Sequence, residues 1–203
     1  MLLGLTGQYC AGKNHIAKFL EARGFEVLDV DKLGHQAIEE ERDSIVERFG
    51  PGVLRADGTV DRKVLGSMVF GKAEKLAELE GLIHPAANRL TERWIQARNG
   101  KNLVVNAALL HRSSVFSLFD CVILVKAALL TRLFRALKRD KLPISTLIER
   151  FRSQEHFESQ YYANKTDIYI VRNEGSFGLC AAHRARALGR RIDSILTRIG
   201  MVR

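Results

Sequence analysis

The sequence predicts an α/β fold, a parallel sheet with helices on both faces, on three observations. Short apolar runs recur along the chain and are followed by stretches of helical periodicity. The runs are continuous Val/Ile/Leu segments, as strands buried on both faces are. The first run, Leu-Leu-Gly-Leu-Thr from Leu2, ends in a glycine-rich turn that opens onto a helical pattern.

In order, that helix runs from Gly12 to Arg23, with Ile16, Ala17, Phe19 and Leu20 as its buried stripe. A second strand, Phe25–Leu28, leads into Asp29-Val30-Asp31. Leu103–Val105, Val122–Val125 and Ile168–Val171 supply three more. Two helical stretches, about 34–98 and about 131–162, are longer than a crossover needs and read as inserted subdomains. Inside the first, Gly50-Pro51-Gly52 and Ala56-Asp57-Gly58 are turn signals, and Asp61 is an N-cap for a helix from Arg62 to Phe70. Pro85 marks a kink or a helix start.

Composition narrows the function classes. The chain has 203 residues, 46% hydrophobic and 27% charged, which suits one soluble domain with insertions. Its longest uncharged runs, Leu2–Gly12 and Asn102–His111, fall short of the ~20 apolar residues of a membrane helix. The opening Met-Leu-Leu-Gly-Leu-Thr lacks the basic start of a signal peptide, so a cytoplasmic protein is expected. Cys10, Cys121 and Cys180 form no CxxC pair and no metal-ligand cluster with the six histidines.

The net charge of +9 is uneven. Residues 1–131 carry 17 Lys/Arg against 16 Asp/Glu, 132–166 carry 8 against 4, and 167–203 carry 7 against 3. The excess attracts polyanions, whether nucleic acid or nucleotide phosphates. In 184–198, Leu188, Ile192, Ile195 and Leu196, with Ile199 just beyond, keep helical spacing. Its arginines are therefore expected on the wet face of a packed helix, and nucleic acid is disfavoured as a partner.

Gly7-Gln-Tyr9-Cys10-Ala11-Gly12-Lys13-Asn14 fits G-x-x-x-x-G-K between a strand and a helix. Glycines let the backbone curl round a phosphate, the helix amino terminus adds positive potential, and the lysine reaches the β- and γ-phosphates. The position after the lysine, ordinarily a Ser or Thr that holds magnesium, is Asn14, whose carbonyl oxygen can face a hard cation weakly or through water. His15 reads as an exposed side chain on the first helical turn.

Asp29 and Asp31 flank Val30, and alternation along an extended chain would put both on one side near the carboxyl edge of the sheet, where α/β ligands bind. A carboxylate there can take a proton from an attacking hydroxyl or help hold magnesium. N-capping of the following helix explains Asp31 equally well, and spacing alone leaves both readings standing.

The ordered set of motifs resembles the dephospho-coenzyme A kinase family. The resemblance runs through GQYCAGKN and Asp29-Val-Asp31-Lys-Leu-Gly-His35, then Phe49-Gly-Pro-Gly-Val-Leu54, Asp57-Gly58, Asp61-Arg62 and Val69-Phe70. It continues through Leu79-Glu80, Ile83-His84-Pro85, Arg135, Arg139-Asp140, Arg150, Gln154, Asn173 and Gly175. It implies a P-loop NTPase-type core (1–33, 99–131 and 167–203), a helical substrate-binding subdomain (34–98) and a helical lid (132–166). The implied reaction is phosphorylation of the ribose 3′-hydroxyl of dephospho-coenzyme A by ATP with Mg2+. By the same resemblance Lys13 neutralises the β- and γ-phosphates, Asp31 is base or positioning group for the hydroxyl, and Arg139 stabilises the transferring phosphoryl group. Gly7, Tyr9, Cys10, Ala11, Gly12 and Asn14 cradle ATP, Asn173 lies by the adenine, and Arg62 and His84 line the substrate pocket.

The chain also departs from the family. Where its third strand usually ends Asp-x-Pro-Leu-Leu-x-Glu, this chain has Asn106-Ala-Ala108-Leu-Leu110-His111. With Asn14, both customary aids to magnesium are uncharged amides, which predicts weaker metal binding. The competing readings are a P-loop kinase of another acceptor and a noncatalytic nucleotide- or nucleic-acid-binding protein.

Overall fold

The computed structural model describes residues 1–140, 142–154, 157–162, 166–174 and 181–200. Cys180 and Gly175 lie outside them. The chain divides into two compact units, residues 1–28 with 100–203, and residues 29–99.

The first unit is built on a five-stranded sheet of order β2-β3-β1-β4-β5, with β1 Leu2–Gly7, β2 Glu26–Asp29, β3 Leu103–Asn106, β4 Cys121–Lys126 and β5 Ile168–Arg172. β1 runs parallel to both its neighbours, with Leu3 opposite Val104 and Cys121, and β4 runs parallel to β5. All five apolar runs became strands, and the central ones, β3, β1 and β4, are buried on both faces.

Side-chain alternation separates the two faces of β1. Leu3 and Leu5 join one core with Ile16 and Leu20 of α1 (Lys13–Glu21) and Leu188, Ile192 and Leu196 of α9 (Ala181–Arg198). On the other face a Cβ on Gly4 would lie 2.5 Å from Leu110 and 3.0 Å from Val122, while the Thr6 hydroxyl lies 2.9 Å from the Tyr161 hydroxyl. Tyr161 is fully buried and sits on α8 (Ser159–Tyr162). The exposed Arg186, Arg190, Arg191 and Arg198 form the wet face of α9, as the spacing predicts.

The helices between β4 and β5, α6 (Leu129–Asp140), α7 (Ile144–Arg152) and α8, belong to this first unit. Ala136 of α6 and Leu147 of α7 are buried against Cys10, with Tyr9 and Phe151 packed beside them.

The second unit starts at Asp29 rather than at residue 34, and contains α2 (Val30–Glu40), α3 (Arg42–Phe49), α4 (Arg62–Val69) and α5 (Ala73–Gln96). Its core joins Ile45, Val53, Val60, Leu65, Val69 and Leu79. Asp61 caps α4 as expected, its carboxylate accepting from the backbone N–H groups of Lys63 (2.9 Å) and Val64 (3.3 Å). One expectation fails here, and of the two alternatives for Pro85 the helix start is excluded. Pro85 starts no helix, because α5 runs through it for 24 residues. Only one intrahelical hydrogen bond is lost to a proline, and Leu79 on one side with Ala86 and Leu90 on the other are buried and hold the turns together. The extended geometry assumed for Asp29-Val30-Asp31 is wrong, since the strand ends at Asp29 and Val30 already begins α2.

Candidate active site

The loop after β1 shows why its glycines are required. A Cβ on Gly7 would sit 2.5 Å from the Val125 carbonyl oxygen, a backbone atom that cannot swing aside. Gly12 has φ +96°, in the left-handed region, and its Cβ would meet the Asn173 amide at 2.3 Å. Cys10, at φ 59°, is the one non-glycine residue with positive φ among the described residues. The loop therefore holds strain at its tip that surrounding contacts must offset. Gly7→Ala is expected to destabilise the first unit by about 1–3 kcal/mol through overpacking against Val125. A thermal midpoint equal to that of the parent would contradict this.

Those contacts come from α6 and from the end of β5. Arg132, only 5% exposed, donates from Nε to the Tyr9 carbonyl at 3.0 Å and from Nη1 to the Gln8 side chain. Arg135 donates from Nη1 to the carbonyls of Cys10 (3.3 Å) and Ala11 (3.0 Å), and from Nη2 to that of Asn173 (2.9 Å). The Asn173 amide donates to the Ala11 carbonyl at 3.0 Å, and its backbone N–H to Lys126 O at 2.8 Å. The loop's carbonyls are thus drawn outward onto cationic and amide donors. That matches what an anion site needs, N–H groups and positive charge facing the ligand. The Lys13 ammonium lies 3.5 Å from the Gly7 carbonyl.

Burial sets the titration of several of these groups. It pushes the Arg132 guanidinium down and the Cys10 thiol up from their ordinary values. Arg139 and then Tyr9 hold the Asp140 carboxyl down to about 2, while its bond to Asp140 raises Arg139. The carboxyl is depressed on folding, so the pair stabilises at any pH above the ordinary carboxylate range and fails only as pH falls towards 2. Asp140 is therefore ionised throughout the neutral range.

The two amides noted as departures are partners. Asn106 Nδ2 donates to Asn14 Oδ1 at 2.9 Å, and Asn106 is 2% exposed. Its own Oδ1 is buried with no hydrogen-bond partner. An amide oxygen left without a partner is a costly feature that a cation's hydration shell would relieve, so the pair fits a hydrated cation held without a protein carboxylate. Among the described residues, no group of three or more His, Cys, Asp or Glu side chains could hold a metal ion.

The expected residues divide between the units. Gly7, Tyr9, Cys10, Ala11, Gly12, Lys13, Asn14, Arg139 and Asn173 all lie in the first. Asn173 is buried and its side-chain N–H is committed to the loop, so it braces the loop. Asp31, Arg62 and His84 lie in the second unit. Asp31 sits inside the first turn of α2, not at its cap, which is Asp29. Arg62 opens α4 and is exposed. His84 is exposed midway along α5. Arg135 is half-buried against the loop carbonyls, whereas Arg150 is exposed and donates from Nη1 to the Tyr9 hydroxyl at 3.3 Å. Arg132 escaped the sequence reading. The one signal was its place one helical turn before Arg135 and two before Arg139, on a helix whose other face is Leu130, Phe134 and Leu137.

The dephospho-CoA kinase family model matches residues 1–177. The chain belongs to the dephospho-CoA kinase family. The Halalkalibacterium halodurans dephospho-CoA kinase is 36% identical over 182 residues, covering 87% of this chain and 89% of that one. The Treponema pallidum enzyme of the same name is 32% identical over 211 residues, covering 99% and 96%. The crystal structure of TT1252 from Thermus thermophilus superimposes with a TM-score of 0.75 at 26% identity, covering 98% of this chain and 97% of that one. Membership carries the family's activity, ATP-dependent phosphorylation of dephospho-CoA in coenzyme A synthesis, on a P-loop kinase fold. Among the described residues, no helix is long and apolar enough to cross a membrane.

Proposed function

We propose that the protein transfers the γ-phosphoryl group of ATP to the ribose 3′-hydroxyl of dephospho-CoA in the cytoplasm. Gly7–Asn14 is the triphosphate cradle, Lys13 and Arg139 are its principal cations, and Asp31 serves the acceptor. The observation that supports this reading most is the convergence of Arg132, Arg135 and Arg139 on a strand-to-helix loop that carries Lys13. Three arginines from one helix beside a phosphate-type loop suit a polyanion that must be held and partly neutralised.

In the transfer, the 3′-oxygen forms a bond to the γ-phosphorus as the bond to the β–γ bridging oxygen breaks. The hydroxyl proton passes to the Asp31 carboxylate or to water, and ADP leaves with its new charge neutralised by Lys13. Little covalent chemistry falls to the protein, so its contribution is positioning and charge stabilisation. Arg62 and His84 serve the acceptor. The helices α6 and α7 act as the lid that excludes water and limits ATP hydrolysis.

Asn14 and Asn106 are the residues that would hold Mg2+, through water. When bound, Mg2+ supplies charge neutralisation at the phosphates. Because both side chains are neutral, Asn106→Asp should tighten metal binding. In the presence of ADP, Mn2+ titration followed by paramagnetic resonance should show an affinity about tenfold higher than in the parent, since ligand charge sets the affinity of oxygen-ligated sites. Unchanged affinity would take the metal away from this pair.

An acceptor panel tests the reaction itself. ADP release from ATP should depend on dephospho-CoA and stay at background with adenosine, pantetheine or shikimate. Equal release with another acceptor would discard the substrate, and none with any would discard catalysis.

A further inference from the structure

Tyr9 is joined to the lid helices and the turn after α7 by every polar group it has. Its backbone N–H donates to Gln154 Oε1 at 2.6 Å, and its carbonyl accepts from Arg132. Its hydroxyl donates to Asp140 Oδ2 and accepts from Arg150 Nη1. Its ring meets Phe151 edge-on at 5.6 Å, with the guanidinium of Arg139 at 5.2 Å from the ring centroid and that of Arg150 at 5.5 Å. Asp140 in turn grips Arg139, accepting from Nε at 2.6 Å and from Nη2 at 2.9 Å.

This arrangement answers a problem set by Arg139. Its side chain is 61% exposed, so packing does not fix it, and a long mobile arginine loses rotamer freedom each time it engages a phosphate. Asp140 uses one N–H from Nε and one from Nη2, two of the five on a guanidinium. The end of the fork, Nη1 and the second Nη2 hydrogen, keeps three donors for phosphoryl oxygens. Asp140 is itself tied through the Tyr9 hydroxyl to the loop that would hold the triphosphate.

We propose that Asp140 and Tyr9 are positioning residues for Arg139: Asp140 clamps the guanidinium side-on, and the Tyr9 hydroxyl registers that clamp against the phosphate loop. The arginine is thereby aimed before the nucleotide arrives. The inference rests on the role given to Arg139 under the proposed function.

Tyr9→Phe tests it with the smallest change, since it keeps the ring, its contact with Phe151 and its cation–π partners while deleting the hydroxyl's bonds to Asp140 and Arg150. We expect kcat to fall about tenfold, as for loss of the charge-assisted bond that ties Asp140 to the loop, with KM for dephospho-CoA and the thermal midpoint essentially unchanged, the exposed bond from Arg150 being weak. Asp140→Asn should act in the same direction. In an Arg139→Ala background, Tyr9→Phe should have no further effect on kcat, which a merely structural role would not produce. Parental kcat in Tyr9→Phe would overturn the proposal. So would an equal loss in the Arg139→Ala background, or faster turnover in Asp140→Asn, which would make Asp140 a brake. Parental activity of Arg139→Ala would overturn the arginine's own role and the clamp with it. A slow Arg139→Ala beside an unimpaired Tyr9→Phe would overturn the clamp alone.

Discussion

Lys13→Ala is expected to abolish phosphoryl transfer, lowering kcat by at least about 10³-fold, as for loss of a principal cation at developing phosphoryl charge. Lys13 opens α1, directly after Gly12, and its ammonium already reaches back to within 3.5 Å of the Gly7 carbonyl. It is therefore carried by the same loop that would wrap the phosphates. The surrounding arginines do not replace it, because Arg132 and Arg135 spend donors on the loop's own carbonyls. The fold should survive, since the core between α1 and the sheet rests on Ile16, Ala17 and Leu20. Steady-state kinetics with a melting curve check both parts. A variant that folds and turns over at the parental rate would remove Lys13 from the chemistry.

Asp31→Asn should cut kcat by about 10²–10⁴-fold while ATP binding stays within a few-fold of the parent, because a general base acts on the acceptor and not on the nucleotide. The amide keeps the shape of the carboxylate and loses its ability to take a proton. Position within α2 gives a control, because Asp31 lies in the first turn and its charge also favours the helix dipole by about 0.3–1 kcal/mol. Any loss of stability should stay in that range. A variant with parental kcat would leave Asp31 only its helical role, and one that failed to bind ATP would move it to the nucleotide.

Local signals were legible where one segment carries the whole cause. The five strands are short apolar runs, and Gly7 and Gly12 are dictated by a loop conformation that the G-x-x-x-x-G-K pattern already encodes. Asp61 announced its helix because an N-cap acts over three residues. The failures came where partners lie far apart in sequence. Arg135 serves the Cys10, Ala11 and Asn173 carbonyls, which are 125, 124 and 38 residues away. Asn14 and Asn106, 92 residues apart, read as two separate departures and prove to be one hydrogen-bonded pair. Val30 shows a third limit, since a strand that passes into a helix without an intervening loop leaves no punctuation. The family resemblance supplied the role of Arg139, whereas its grip by Asp140 and Tyr9 needed coordinates.

In the proposed reaction this chain joins a phosphoryl group from ATP to one particular hydroxyl of dephospho-CoA. The most direct measurement follows both products of one reaction, ADP by chromatography and the new phosphate ester by phosphorus NMR. One ADP is expected for each coenzyme A formed, with the new ester on the ribose 3′-oxygen. ADP accumulating without coenzyme A, or an ester at another position, would contradict it.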